Sequence, residues 1–138
     1  MENIYLCDID GTLASFKHHR GAYDEHKVLN DLPLPTVAVI KALVDTGSKI
    51  IYFSGRTDKC YIDTSEWIFN HIGHAPQLYM RKHEDYRADD IVKKELYDTF
   101  IKDQYNVLGV FDDRLKVIRM WESIGLWVFN CNQGNKEF

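Results

Sequence analysis

Short apolar runs that stop abruptly on small polar or charged residues recur along this chain, and their spacing constrains the fold more than any other feature. Ile4-Tyr5-Leu6-Cys7 runs into Asp8-Ile9-Asp10-Gly11-Thr12, Lys49-Ile50-Ile51-Tyr52-Phe53 into Ser54-Gly55-Arg56-Thr57, and Val107-Leu108-Gly109-Val110-Phe111 into Asp112-Asp113-Arg114. Apolar runs of this length read as buried strands. Gln77 to Met80 and Leu126 to Phe129 have the same character. Between the runs lie segments of helical period. Pro35 suits a first helical position, and Val37, Ile40, Leu43 and Val44 follow it up to Gly47, which predicts a helix over 35–46. Trp67, Ile68 and Ile72 predict a helix over 62–72 closed by Gly73. Asp89-Asp90 opens a third, to about 103, with Val92, Leu96 and Phe100 on one side. Val117, Trp121 and Ile124 mark a fourth that Gly125 stops. Strict alternation of strand and helix predicts an α/β fold, a parallel sheet with helices on both faces. In such sheets ligands bind beyond the carboxyl ends of the strands, at a topological switch point. All three polar clusters stand at carboxyl ends.

A chain of 138 residues with 45% hydrophobic and 13% aromatic content forms a single domain, 1–138, with a real core. A net charge of −4 does not advertise nucleic-acid binding, but an enzyme acting on a chain end needs only a few phosphates. Cys7, Cys60 and Cys131 are far apart and form no Cys-x-x-Cys, so neither a disulfide framework nor a zinc site is expected, and a reducing cytosol fits. No segment approaches the length of a membrane span, and the first strand starts too close to Met1 for a signal peptide. A cytoplasmic protein with no membrane partner is the expectation.

Asp8 and Asp10, two positions apart at a strand end, repel each other unless a cation lies between them. Asp and Gly are also ordinary turn residues. An EF-hand reading of Asp8-Ile9-Asp10-Gly11-Thr12 fails, because His19 stands at position 12, where the loop's closing Glu belongs. With Asp112 and Asp113, the two form an oxygen-rich acidic set suited to Mg²⁺. Around it stand candidate phosphate donors: Ser54, Arg56, Arg20, Arg81 and Lys93. A metal and cations facing one anion describe phosphoryl transfer. Gly-x-x-x-x-Gly-Lys-Ser/Thr and Gly-x-Gly-x-x-Gly are absent, so P-loop and dinucleotide chemistry lack support. Asp8 can then serve as nucleophile through an aspartyl-phosphate, with Asp10 as acid and base. The stretch from Ala14 to Pro33 is polar and poorly periodic and reads as a loop over the site; its histidines His18, His19 and His26 have no ligand spacing. His71 and His74 are likewise not expected to hold a metal.

Asp8-Ile9-Asp10-Gly11-Thr12, Ser54, Lys93 and Asp112-Asp113, in this order, resemble the haloacid-dehalogenase (HAD) superfamily of aspartyl-phosphate phosphohydrolases. A closer similarity covers nearly the whole chain. Arg20-Gly21-Ala22-Tyr23-Asp24, Ser54-Gly55-Arg56, Arg81, Asp85 to Lys93, and Phe111-Asp112-Asp113-Arg114 resemble the 3′-phosphatase domain of phage-type polynucleotide kinase-phosphatases. The resemblance implies a Rossmann-like core without a large cap, Mg²⁺, and removal of 3′-phosphates from nucleic-acid ends. It implies Asp8 as nucleophile, Asp10 as acid and base, and Lys93 bridging Asp8 and the phosphate with Asp89 orienting it. Thr12, Arg20, Ser54, Gly55, Arg56, Arg81 and Asp89 would bind phosphate or substrate; Asp8, Asp10, Asp112 and Asp113 would serve the metal. The phage type carries a kinase domain that is not evident here, so the expectation is a phosphatase acting alone or beside a separate kinase or ligase. The leading expectation is a polynucleotide 3′-phosphatase that also accepts nucleoside 3′-monophosphates. The alternatives are a small-molecule phosphatase such as a 5′-nucleotidase, and a non-catalytic module that binds Mg²⁺ or nucleic-acid ends.

Overall fold

The computed structural model describes residues 1–15, 21 and 24–138. Arg20, expected at the substrate, lies outside the described residues, as do His18 and His19. Five parallel strands form one sheet, in the order β5-β4-β1-β6-β7: β1 Glu2–Asp8, β4 Lys49–Thr57, β5 Gln77–Arg81, β6 Tyr105–Asp112 and β7 Val128–Asn130. The helices α1 Thr36–Asp45, α2 Tyr61–Ile72, α3 Asp89–Phe100 and α4 Leu115–Ser123 connect them. The α/β architecture is therefore as expected. No helix among the described residues is long and apolar enough to cross a membrane.

Strand alternation assigns the two cores. Cys7 of β1 and Ile50 and Tyr52 of β4 face Ile40 of α1 and Trp67, Ile68 and Ile72 of α2. Ile4, Leu6, Ile51, Phe53 and Val110 face the other way, toward Val117 and Trp121 of α4, with Leu96 and Tyr97 of α3 packed against them. Trp67 and Trp121 are each 1% exposed. Burying a large apolar side chain contributes roughly 1.5–3 kcal/mol, so each face is anchored by its own tryptophan.

The chain leaves β1 for β4 and β5 on one side, then crosses to β6 and β7 on the other. The switch point is thus between β1 and β6. Their register pairs Cys7 with Phe111, which sets the next residues, Asp8 and Asp112, side by side at the carboxyl ends.

Several boundaries differ from expectation. The second parallel strand continues through Ser54-Gly55-Arg56 to Thr57, and its pairing with β5 is irregular between Ser54 and Thr57. Here the Ser54 hydroxyl accepts from the Arg56 amide at 3.0 Å, which supports the backbone where the ladder breaks. The third helix stops at Phe100, where Ile101 to Gln104 turn into β6. The segment after β1, read as a loop, contains the antiparallel pair β2 Ala14–Ser15 and β3 Leu32–Pro33 and a 3₁₀ turn over Glu25–Asn30. Among the described residues no larger cap stands there.

Candidate active site

Side-chain parity sends Asp8 to the same face as Leu6, and Asp112 to the same face as Val110. Both therefore meet α3 and α4. Lys93 of α3, 1% exposed, donates from Nζ to Asp8 Oδ1 at 2.7 Å and to Asp112 Oδ2 at 3.2 Å. Asp89, one helical turn earlier, comes within 3.6 Å of the same nitrogen. Burial works against the Lys93 charge, but Asp112, Asp8 and Asp89 hold the ammonium protonated, its pKa well above the usual lysine range. Burial pushes the Asp8 carboxyl up; Lys93 opposes this, and repulsion from Asp112 and Asp113 adds to it.

Asp112 is held on every side. Oδ1 accepts from the amides of Asp113 at 2.9 Å and Arg114 at 3.2 Å. Oδ2 accepts from Lys93 and, at 3.3 Å, from Trp121 Nε1. Trp121 was legible only as a core residue; its indole N–H is the part sequence reasoning missed. Thr12, fully buried, donates to Asp8 Oδ2 at 2.9 Å and lies 3.3 Å from Asp113 Oδ1. It steadies the two carboxylates.

Oxygens of Asp8, Asp112 and Asp113 lie within 4.8 Å of one another, and all three residues are buried. Three carboxylates against one ammonium leave a local excess of negative charge in a low-dielectric setting. Hard oxygen donors with that excess fit a divalent cation of the Mg²⁺ or Ca²⁺ kind. The Asp10 side chain does not join this cluster. Its carboxylate takes a forked pair from Arg56, Nε to Oδ2 at 3.0 Å and Nη2 to Oδ1 at 2.7 Å.

Arg56, expected to meet phosphate, is 5% exposed and already engaged. Besides Asp10, it donates to Asp31 Oδ2 at 2.7 Å and to Thr64 Oγ1 of α2 at 3.1 Å. Burial opposes its charge, yet Asp10 and Asp31 raise its pKa above the ordinary value. Neither Asp31 nor Thr64 carried a sequence signal, since one follows the irregular 3₁₀ turn and the other reads as a helix residue. Arg81 is similarly occupied: it donates to the carbonyls of Gly55 at 2.9 Å, Asp85 at 2.9 Å and Arg87 at 2.5 Å, and approaches Asp89 Oδ1 at 3.4 Å. These bonds brace the 82–88 loop, and Arg81 also lines the cleft that holds Asp8 and Lys93.

Two glycines are required by close approach. A Cβ on Gly11, which has φ +80°, would lie 1.9 Å from Asp113 Oδ2. One on Gly55 would lie 2.3 Å from Asp89 Oδ1. Gly11→Ala should therefore displace Asp113, weaken metal binding, and cost more than about 1 kcal/mol through the left-handed backbone alone. Thermal melts with and without Mg²⁺ check this; a variant that melts like wild type and gains the same stabilisation from metal would contradict it.

The cysteines are poor competitors for the nucleophile. Burial raises Cys7 far above the ordinary thiol range and pushes Cys131 up to about 11. A cleft of about 580 Å³ opens on Asp8, Asp10 and Lys93, with Tyr86, Arg87 and Arg114 also on its wall. His26 is exposed, outside this set.

Comparison with known proteins agrees with this geometry. Residues 2–136 match the family described as "Polynucleotide kinase PNKP phosphatase domain". A "Putative bifunctional polynucleotide kinase/RNA ligase" of Autographa californica nuclear polyhedrosis virus is 36% identical over 96% of this chain, which spans 20% of that protein. Among solved structures, a chain of the Pnkp1/Rnl/Hen1 RNA repair complex superposes with a TM-score of 0.90 at 33% identity, over 99% of this chain and 44% of that one. The class C acid phosphatase from Bacillus anthracis shares the fold, with a TM-score of 0.68 at 12% identity, over 99% of this chain and 68% of that one. With the match covering residues 2–136 and the acidic triad, Lys93 and Thr12 assembled at the switch point, the chain belongs to the PNKP phosphatase-domain family and is a phosphatase of the HAD type.

Proposed function

We propose that this protein is a Mg²⁺-dependent polynucleotide 3′-phosphatase working through an aspartyl-phosphate on Asp8. The observation that carries the reading is the buried Asp8 carboxylate, held between Lys93 at 2.7 Å and Thr12 at 2.9 Å and facing the cleft. Asp8 Oδ attacks phosphorus as the bond from phosphorus to the 3′ oxygen breaks, and Asp10, entering this step as the carboxylic acid, gives its proton to that oxygen. Asp10 then takes a proton from water as the water oxygen attacks the phospho-aspartate, freeing inorganic phosphate and restoring Asp8. Asp8, Asp112 and Asp113 would hold Mg²⁺, which when bound offsets the repulsion between nucleophile and phosphate. Lys93 supplies a fixed positive charge to the same end. Arg56 orients Asp10, so the acid and base is aimed by a residue that is itself locked by Asp31 and Thr64.

The relatives support nucleic acid, and RNA in particular, as the substrate. One is named for polynucleotide kinase and RNA ligase functions, and another belongs to an RNA repair complex. A kinase or ligase as functional partner follows from the same names. A nucleoside 3′-monophosphate is small enough to enter the cleft as well.

The deciding measurement is phosphate release from oligonucleotides of one sequence phosphorylated at the 3′ or at the 5′ end, with Mg²⁺ and with excess chelator. Release from the 3′ end that stops on chelation is the expected result. Preference for the 5′ end or for 5′-mononucleotides transfers the site to the nucleotidase reading, and undiminished activity in chelator removes the metal.

A further inference from the structure

The loop between β5 and α3 is braced far beyond what a surface connection needs. Arg81 ties its start to its end through the carbonyls of Asp85 and Arg87, and ties both to Gly55 of β4. Arg87 is pinned by Asp85 at 3.0 and 2.8 Å and by Glu95 of α3 at 2.6 and 3.2 Å. The His83 amide donates to Asp58 at 3.0 Å, and Glu84 takes the left-handed backbone, φ 66°, that turns the loop. At the centre of this fixed frame stands Tyr86, 88% exposed and on the wall of the cleft that holds Asp8 and Lys93. Among the described residues none stacks on its ring.

A large aromatic left bare on a rigid support at the mouth of a catalytic cleft has a ring face to offer. The guanidiniums beside it are already engaged: Arg81 donates to carbonyls, and Arg87 to two carboxylates. Arg114, on the same wall, donates to the Phe138 carbonyl at 2.9 Å and lies 3.8 Å from Asp89, so the ring of Tyr86 is the aromatic face left bare there. Unpaired nucleobases are the ligands that recurrently stack on such planes, because every base has a π-face. We propose that Tyr86 is the stacking platform for a base at the phosphorylated end of the substrate, making this wall a single-strand subsite. The inference rests on the nucleic-acid-end reading above and names the part of the substrate that this wall takes.

Binding isolates the subsite from turnover. Asp8→Asn protein with Mg²⁺ is titrated with a short, 5′-fluorescein-labelled oligoribonucleotide bearing a 3′-phosphate, and with the same strand abasic near that end. The base-bearing strand should bind more tightly by about 5- to 150-fold, the range that loss of one base–aromatic stack produces. Adding Tyr86→Ala should collapse this ratio toward one, and Tyr86→Phe should keep it, since the ring and not the hydroxyl does the stacking. A ratio already near one with Tyr86 present, a ratio that survives Tyr86→Ala, or one that Tyr86→Phe abolishes each overturns the proposal. Failure of wild-type protein to release phosphate from the 3′ end is a separate result that overturns the phosphatase reading, while the binding ratio still judges Tyr86.

Discussion

Asp8→Asn protein is expected to fold, bind Mg²⁺ more weakly and release no measurable phosphate. Loss of a covalent nucleophile acting within a coupled set costs on the order of 10⁴- to 10⁶-fold. The substitution keeps the shape of the side chain and its acceptor for Lys93 Nζ, but removes the charge proposed to attack phosphorus. It also relieves the acidic cluster. Burial, together with repulsion from Asp112 and Asp113, already pushes the Asp8 carboxyl up, so its ionised form is held at a cost in metal-free protein. Metal-free Asp8→Asn should therefore unfold no earlier than wild type in urea at neutral pH. Single-turnover assays on a 3′-phosphorylated strand, paired with urea melts, check both halves. Substantial turnover by the folded variant would end the aspartyl-phosphate mechanism. Early unfolding would mean that the charge of Asp8 is a net support to the fold.

Lys93→Met should damage both stability and activity. Its ammonium lies among Asp8, Asp112 and Asp89 and is 1% exposed. Removing one partner of a buried ionic group typically costs about 3–5 kcal/mol, because the remaining charges stay desolvated and uncompensated. The linear methionine approximately preserves the volume, so the loss reports charge more than a cavity. Added Mg²⁺ should recover part of the stability, by supplying positive charge to Asp8 and Asp112, without restoring turnover. Equilibrium urea unfolding with and without Mg²⁺ separates the two effects. Wild-type stability in metal-free buffer would show that the three carboxylates do not depend on Lys93, and would undercut the account of the site.

Much of this site was legible from parity and order. Asp8 follows Leu6 by two positions and Asp112 follows Val110 by two, so both look toward the same sheet face. The alternating elements place them at neighbouring carboxyl ends. Lys93 could be read as a helical neighbour of Asp89, but its burial depends on how α3 settles on the sheet. The arginines were harder. Arg56 and Arg81 look like phosphate ligands by residue type, yet a guanidinium is satisfied equally well by carboxylates or by carbonyls. Which it meets depends on distant backbone: Asp31 after a 3₁₀ turn, Thr64 on α2, the carbonyls of Gly55, Asp85 and Arg87. Such partners leave no periodic trace. The extension of β4 to Thr57 was hidden for a related reason. Gly55 and Arg56 punctuate the sequence like a loop, and only pairing across an irregular register keeps them in the sheet.

The two carboxylates assigned to the chemistry are wired to opposite layers of the molecule. Asp8 is tethered through Lys93 to α3, on the face that Trp121 anchors. Asp10 is tethered through Arg56 to Thr64 of α2 and to Asp31, whose carbonyl accepts from Trp67 at 2.9 Å on the other face. The sheet is then a partition between two mechanical circuits, one ending at the oxygen proposed to attack and the other at the proposed proton donor. Loosening the packing beneath one of them leaves the other tuned. If Asp8 attacks and Asp10 donates the proton as proposed, a remote core change has an expected kinetic fingerprint: slackness under α3 should blunt attack on phosphorus, and slackness under α2 should show as greater sensitivity to how readily the leaving oxygen departs.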